Sequence, residues 1–168
     1  MTIIGSDRTG LVESVARAVA DHGGNWLESR MCRLGGEFAG ILRIELPAEK
    51  KPALLTALQK ISGLNVVVQP GVTGANTKPG RQTRLEIVGS DRPGIVRDIT
   101  SALARAGVNV EEFFSECVSA PMSGETLFKA NARLQLPDGC DDAALKTKLE
   151  KIADDLLVDI SFAELSGK

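Results

Sequence analysis

The sequence predicts an α+β protein made of two similar modules, each a four-stranded antiparallel sheet backed by two helices. Three observations carry this. First, a polar turn occurs twice: Ile4-Gly5-Ser6-Asp7-Arg8-Thr9-Gly10-Leu11-Val12 returns 84 residues later as Val88-Gly89-Ser90-Asp91-Arg92-Pro93-Gly94-Ile95-Val96. At the same offset Asn25, after Gly23-Gly24, returns as Asn109, after Gly107-Val108. Second, hydrophobic periodicity runs strand, helix, strand, strand, helix, strand in both halves. Third, Pro70 to Gly80 is rich in Gly and Pro, as a linker is. The expected division is a module over 1–70, a linker over 71–82 and a module over 83–168.

In the second half, Leu85 to Val88 alternates and then runs apolar, which reads as a strand broken by Gly89-Ser90. Asp91 is placed to cap a helix by accepting the Gly94 amide, with Pro93 in the first turn, where its missing N–H costs nothing. Ile95, Val96, Ile99 and Leu103 share one helical face, and Gly107 stops the helix. Val108 to Val118 follows as a strand, Ala120 to Gly124 turns the chain, and Glu125 to Leu136 returns antiparallel. Asp138-Gly139 leads to a helix over Ala143 to Ala153, whose inner face holds Leu145, Leu149 and Ile152. In the last strand Val158, Ile160 and Phe162 alternate with Asp159 and Ser161.

The first half repeats the order. Ile3-Ile4 opens, and a helix carries Leu11, Val12, Val15 and Val19. A hairpin turns near Gly35-Gly36, a second helix carries Leu54, Leu55, Leu58 and Ile61, and Asn65 to Gln69 closes the sheet. The hairpin is shorter here, since Pro47 and Pro137 stand 90 apart rather than 84. Strand-helix-strand twice over, with a hairpin between, is the ferredoxin-like plan.

Composition narrows the function classes. The chain is 43% hydrophobic and 25% charged with net charge −2, ordinary for a globular protein and lacking the basic run that a nucleic-acid footprint needs. No apolar stretch approaches the roughly 20 residues that span a bilayer, and no signal peptide is visible, so the expected location is the cytoplasm. Cys32, Cys117 and Cys140 form no CxxC pair and read as buried or idle thiols in a reducing compartment. The lone His22, expected at the exposed end of a helix, has no histidine partner for a metal site or triad. No metal or cofactor is therefore expected.

The duplicated turn is the candidate site. A strand leading into a helix gathers unpaired amides at the positive end of the helix dipole, which favours a carboxylate or phosphate. Gly10 and Gly94 let a ligand approach the backbone. Asn25 and Asn109 open the following strands, where an amide side chain beside the turn would offer both donor and acceptor to a zwitterion. The same residues also serve plain architecture, because Asp and Gly cap and bend chains. Finding turn and Asn together twice in register is what favours a ligand.

Asp91-Arg92-Pro93-Gly94-Ile95-Val96 with Gly107-Val108-Asn109-Val110 resembles the ACT domain, a small regulatory module that binds amino acids. Two copies filling the chain, with no catalytic domain attached, are similar to the glycine cleavage system transcriptional repressors. The resemblance implies that modules pair side by side into an eight-stranded sheet with the ligand at the interface. Carried over, it implicates Asp7, Arg8, Gly10, Leu11 and Asn25 in one copy, and Asp91, Arg92, Gly94, Ile95 and Asn109 in the other. Thr9 stands where the family pattern has Pro. The implied function is non-catalytic sensing of a small amino acid such as glycine or serine. The signal would pass to a regulatory protein partner, for instance one that binds DNA, and a homodimer is compatible.

Two other function classes fit the sequence less well. A small enzyme of acylphosphatase type shares the ferredoxin-like plan and uses an Arg with an Asn at a phosphate-cradling loop, which Arg92 and Asn109 could imitate. Its surrounding loop sequence is not matched, and no general base with a recognisable partner stands near. Single-stranded RNA binding needs exposed aromatics for stacking, yet the chain has no Tyr, one Trp and five Phe. Phe38 and Phe128, equivalent in the two hairpins, read as core. Trp26 and Phe113-Phe114 read as fillers of a domain interface.

Overall fold

The computed structural model describes residues 1–69, 71, 80–120 and 124–164. Most of the expected linker (72–79) and the tip of the second hairpin (121–123) lie outside the described residues. The chain divides into two compact units, Met1–Ala75 and Asn76–Lys168.

In the first unit the order is β1 (Thr2–Ser6), α1 (Leu11–Asp21), β2 (Asn25–Leu34), β3 (Glu37–Glu45), α2 (Lys51–Gln59) and β4 (Leu64–Val67), with a short 3-10 turn at Ala48–Lys50 before α2. The second unit repeats it as β5 (Arg81–Ser90), α3 (Ile95–Arg105), β6 (Asn109–Ser119), β7 (Thr126–Leu136), α4 (Asp142–Leu156) and β8 (Val158–Glu164). The sheets run β2-β3-β1-β4 and β6-β7-β5-β8, with every neighbour antiparallel. This is the expected pair of ferredoxin-like units. β5 begins at Arg81, within the stretch read as linker.

Strict alternation puts one face of each sheet against the helices. Ile3 and Leu42 meet Leu11, Val15 and Val19 of α1 and Leu54 and Leu58 of α2 in the first core. Leu85, Ile87, Phe128 and Leu134 meet Ile95, Ile99 and Leu103 of α3 and Leu145 and Leu149 of α4 in the second. Phe38 packs against the first core as Phe128 does in the second, and Ile61 packs there too, although α2 stops before it. Val12 and Val96, expected on the buried stripe, are instead 41% and 42% exposed. Each follows the first helical residue and is turned about 100° away from it.

The hairpin turn at Gly35-Gly36 is as expected, with φ of 61° and 85° at its two glycines. The Gly-Ser pairs do not break their strands, since β1 runs through Ser6 and β5 through Ser90. The neighbouring strand explains the glycine. A Cβ on Gly5 would lie 2.1 Å from the Gly63 carbonyl oxygen, and one on Gly89 would lie 2.6 Å from that of Leu157. These glycines let the closing strand start flush against the central one. α4 begins one residue early, at Asp142, because Asp141 caps it by accepting the Ala144 amide at 2.9 Å.

Candidate functional site

Both bends start their helix on a left-handed glycine: Gly10 has φ 82° and Gly94 has φ 104°. Asp91 is therefore not the cap. No side chain caps α1 or α3, and Pro93 precedes the helix instead of sitting in its first turn. The aspartates are instead tied down by their backbone, the Asp7 amide donating to Gly36 and the Asp91 amide to Thr126, both at 2.9 Å. That fastens each bend to its hairpin. Among the described residues, the amides of Val12, Glu13, Val96 and Arg97 have no backbone acceptor, as a first helical turn dictates. An open hollow of about 480 Å³ lies against the first bend, lined by Asp7, Arg8, Gly10, Leu11, Val12, Glu13 and Phe38.

The arginines face the fold. Arg8 Nη2 donates to the Ser62 carbonyl at 3.3 Å, and Arg92 Nη2 donates to the Asp155 carbonyl at 2.8 Å. Asp155 lies in the last turn of α4, where carbonyls lack helical partners and the dipole is negative, and Ser62 lies three residues beyond the end of α2. The Nε of Arg92 is buried and has no hydrogen-bond partner among the described residues.

The asparagines correct the expectation most sharply. Asn25 pairs with Glu45 while Ser6, at the bend, pairs with Glu37. Asn109 pairs with Gln135 while Ser90 pairs with Leu127. In each unit the Asn and the bend are eight strand positions apart, roughly 26 Å. The cause is the intervening helix. It returns the chain to the end of the sheet where the first strand began, so β2 starts far from the end of β1. Each Asn is exposed and opens an edge strand. A second hollow of about 340 Å³, lined by Val12, Ala16, Val19, Ala20, Gly24 and Trp26, runs along α1 towards the Asn25 end and shares Val12 with the first.

The two bends differ beside the aspartate. Asp7 meets the Arg33 guanidinium at 3.4 Å. The residue 84 positions on is Cys117, whose thiol is pushed above its ordinary range, first by desolvation and then by the Asp91 carboxylate, which also accepts its hydrogen bond. At the start of α3, Arg97 Nε lies 2.7 Å from Asp98, which holds that carboxyl below its usual range, chiefly through the hydrogen bond. Reading both halves in register at Arg33 and Cys117 exposes this asymmetry, which the motif alone misses.

Other expectations fare unevenly. Arg92 and Asn109 do not converge, so the acylphosphatase-like pairing is absent. Cys32 and Cys117 are exposed rather than buried, and Cys140 is half-buried. His22 is half-buried at the end of α1, its Nδ1 2.7 Å from the Ala18 carbonyl. Trp26 packs on the core of its own unit, while Phe113 and Phe114 are exposed. Among the described residues no cluster of three metal-ligating side chains occurs, and no helix is long and apolar enough to cross a membrane.

The comparisons agree with the geometry. Models of the ACT domain match residues 1–69 and 83–128. An unknown protein from Galdieria sulphuraria is 30% identical and superposes with a TM-score of 0.84, over 98% of this chain and 96% of its own. A protein described as a candidate glycine cleavage system transcriptional repressor is 20% identical with a TM-score of 0.69, over 99% of this chain and 95% of its own, a likeness of fold. Among curated proteins none matches by sequence. With two family matches that together span most of its length, each on a ferredoxin-like unit with a glycine-started helix, the chain belongs to the ACT domain family.

Proposed function

We propose that this protein is a non-catalytic sensor of a small amino acid, of the size of glycine or serine, that reports to a regulatory protein partner. The modules span 1–70 and 83–168, with 71–82 as linker except that β5 takes in Arg81 and Gln82, and the working location is the cytoplasm. Membership of a family of regulatory amino-acid-binding modules supports the class. The likeness to the candidate repressor supports transcription as the process and a DNA-binding regulator as the partner. The absence of a basic run in the sequence makes direct nucleic-acid contact the weaker route.

One observation carries the site: the bend and the Asn occupy opposite ends of the same module, each beside an exposed edge strand. A further module set side by side with one of these, edge strand against edge strand and antiparallel, would bring the bend of each beside the Asn of the other. The open amides then hold the carboxylate, and the Asn side chain with nearby carbonyls holds the ammonium. Asp7, Gly10 and Leu11 in one module and Asp91, Gly94 and Ile95 in the other would supply the bend side, and Asn25 and Asn109 the amide side. Arg8 and Arg92 would support the bends from behind.

A thermal-shift screen of the twenty amino acids tests this. The expected result is a rise for one or two small ones, worth about 2.7 kcal/mol at 100 times the dissociation constant. A flat response to all twenty contradicts it.

A further inference from the structure

The central strands of the two units differ in length, and the difference leaves a slot in the first. β5 runs for ten residues and β1 for five, with Thr2 standing where β5 has Glu86. In the second unit Arg81 to Leu85 pair with Leu136 to Ala132 of β7, and Thr83 to Leu85 also pair with Glu164 to Phe162 of β8. Among the described residues of the first unit, Met1 alone enters the corresponding space. Its amine donates to the Leu42 carbonyl at 2.7 Å, and its carbonyl accepts the Leu42 amide at 2.8 Å. Antiparallel pairing turns alternate residues to the same side, so the next N–H and C=O facing the slot are those of Ile44. Its counterpart Leu134 pairs with Thr83, whereas no described strand pairs with Ile44 on that side. A cavity of about 340 Å³ lies here, between Leu42, Ile44 and Leu46 on one side and Leu54, Leu55 and Leu58 of α2 on the other. The cavity at the same place in the second unit is about 130 Å³, because Arg81, Gln82 and Thr83 form part of its wall. Leu134 and Leu136 are accordingly buried, while Ile44 and Leu46, at the same register, are half-buried.

We propose that this slot binds an extended peptide segment of a protein partner, which enters as the remaining length of the central strand. In strand addition the main chain supplies hydrogen bonds and alternate side chains supply specificity. The second unit is the template. Thr83 is buried there, and Arg81 forms an ion pair with Asp142 at the start of α4. The first unit has exchanged what those two positions meet. Lys51 opens α2 where Asp142 opens α4, and Leu55 stands where α4 has Lys146. α2 has no acidic residue in its first turn and no side-chain cap, so the positive end of its dipole adds to Lys51. The fitting segment is therefore acidic where β5 has Arg81, and large and apolar two residues later where β5 has Thr83. Four residues, the counterparts of Arg81 to Arg84, fit before Met1 closes the slot. This deepens the proposed function, resting on that reading for its regulatory partner, and β3 separates the slot from β2 and Asn25.

Isothermal titration of the full chain with the acetylated and amidated pentapeptide Thr-Asp-Thr-Leu-Thr tests this, beside Thr-Lys-Thr-Leu-Thr and Thr-Asp-Thr-Asp-Thr. The expected result is saturable binding of the first peptide, with a dissociation constant below about 1 mM, and none of the third. Lys51→Glu is expected to weaken the first peptide at least about fivefold and to reverse the preference, so that the lysine peptide binds better. Lys51 is exposed, and a thermal melt checks that the variant is folded. No saturable binding of the first peptide, or a preference that Lys51→Glu leaves unchanged, overturns the proposal. Peptide binding without any response to the twenty amino acids would remove the sensing site and keep the slot, and an amino-acid response without peptide binding would do the reverse.

Discussion

Arg92 reaches across its module and donates to the carbonyl of Asp155, as Arg8 does to Ser62 in the other copy. The Arg in the repeated motif thus joins the bend to the last turn of α4 in one unit, 63 residues away, and to the loop after α2 in the other, 54 residues away.

If that is its work, removing it costs stability more than affinity. Arg92→Ala is expected to lose about 1–2 kcal/mol through a charge-assisted hydrogen bond and its packing, and Arg8→Ala less than about 1 kcal/mol, since its bond is longer and exposed. For a module of this size 1 kcal/mol lowers Tm by roughly 4–8 °C. A melt unchanged in Arg92→Ala, with amino-acid binding abolished, would return the arginine to the ligand.

The seam between the first and last strands yields a second prediction. Leu157 has φ 52° and is 72% exposed, where the first unit has Gly63 at φ 71°. The left-handed conformation costs a residue with a Cβ about 1–2 kcal/mol, while a glycine gives back part of that as unfolded-state entropy. Leu157→Gly should therefore stabilise the second unit by about 0.5–1 kcal/mol, and Gly63→Ala should destabilise the first by a similar amount. Chemical denaturation of each variant measures both, and a loss of stability in Leu157→Gly would show that the strain reading is wrong.

Cys117 provides a chemical reporter of the second bend. The Asp91 carboxylate disfavours its thiolate, so Asp91→Asn lowers the thiol pKa and raises the thiolate fraction at a given pH. In a Cys32→Ser, Cys140→Ser background, alkylation by iodoacetamide at about pH 8 should speed up when Asp91 is replaced. An unchanged rate would mean that carboxylate and thiol are not neighbours.

Much of the fold is legible in the sequence. The element order, the Gly35-Gly36 turn and the glycine-rich bends follow from periodicity and turn chemistry, which act over a few residues. The roles of Arg8 and Arg92 are not legible, because their partners lie far along the chain, at or just after the second helix, and no periodicity marks them. The place of Asn25 escapes the sequence for a different reason. Motif spacing carries no sign of the roughly 16 Å by which an eleven-residue helix returns the chain along the sheet. Asp91 reads as a cap because Asp before a helix usually is one. Here Gly94 takes a conformation that starts the helix later.

The central claim is that a bend from one module and an asparagine from another share one amino acid. Isothermal titration of the amino acid found by thermal shift, against the wild type, Asn25→Ala and Asn109→Ala, tests it most directly. The account predicts that each substitution weakens binding at one site by about 1–3 kcal/mol, roughly 5- to 150-fold, with both proteins still folded. Wild-type affinity in both variants would contradict it.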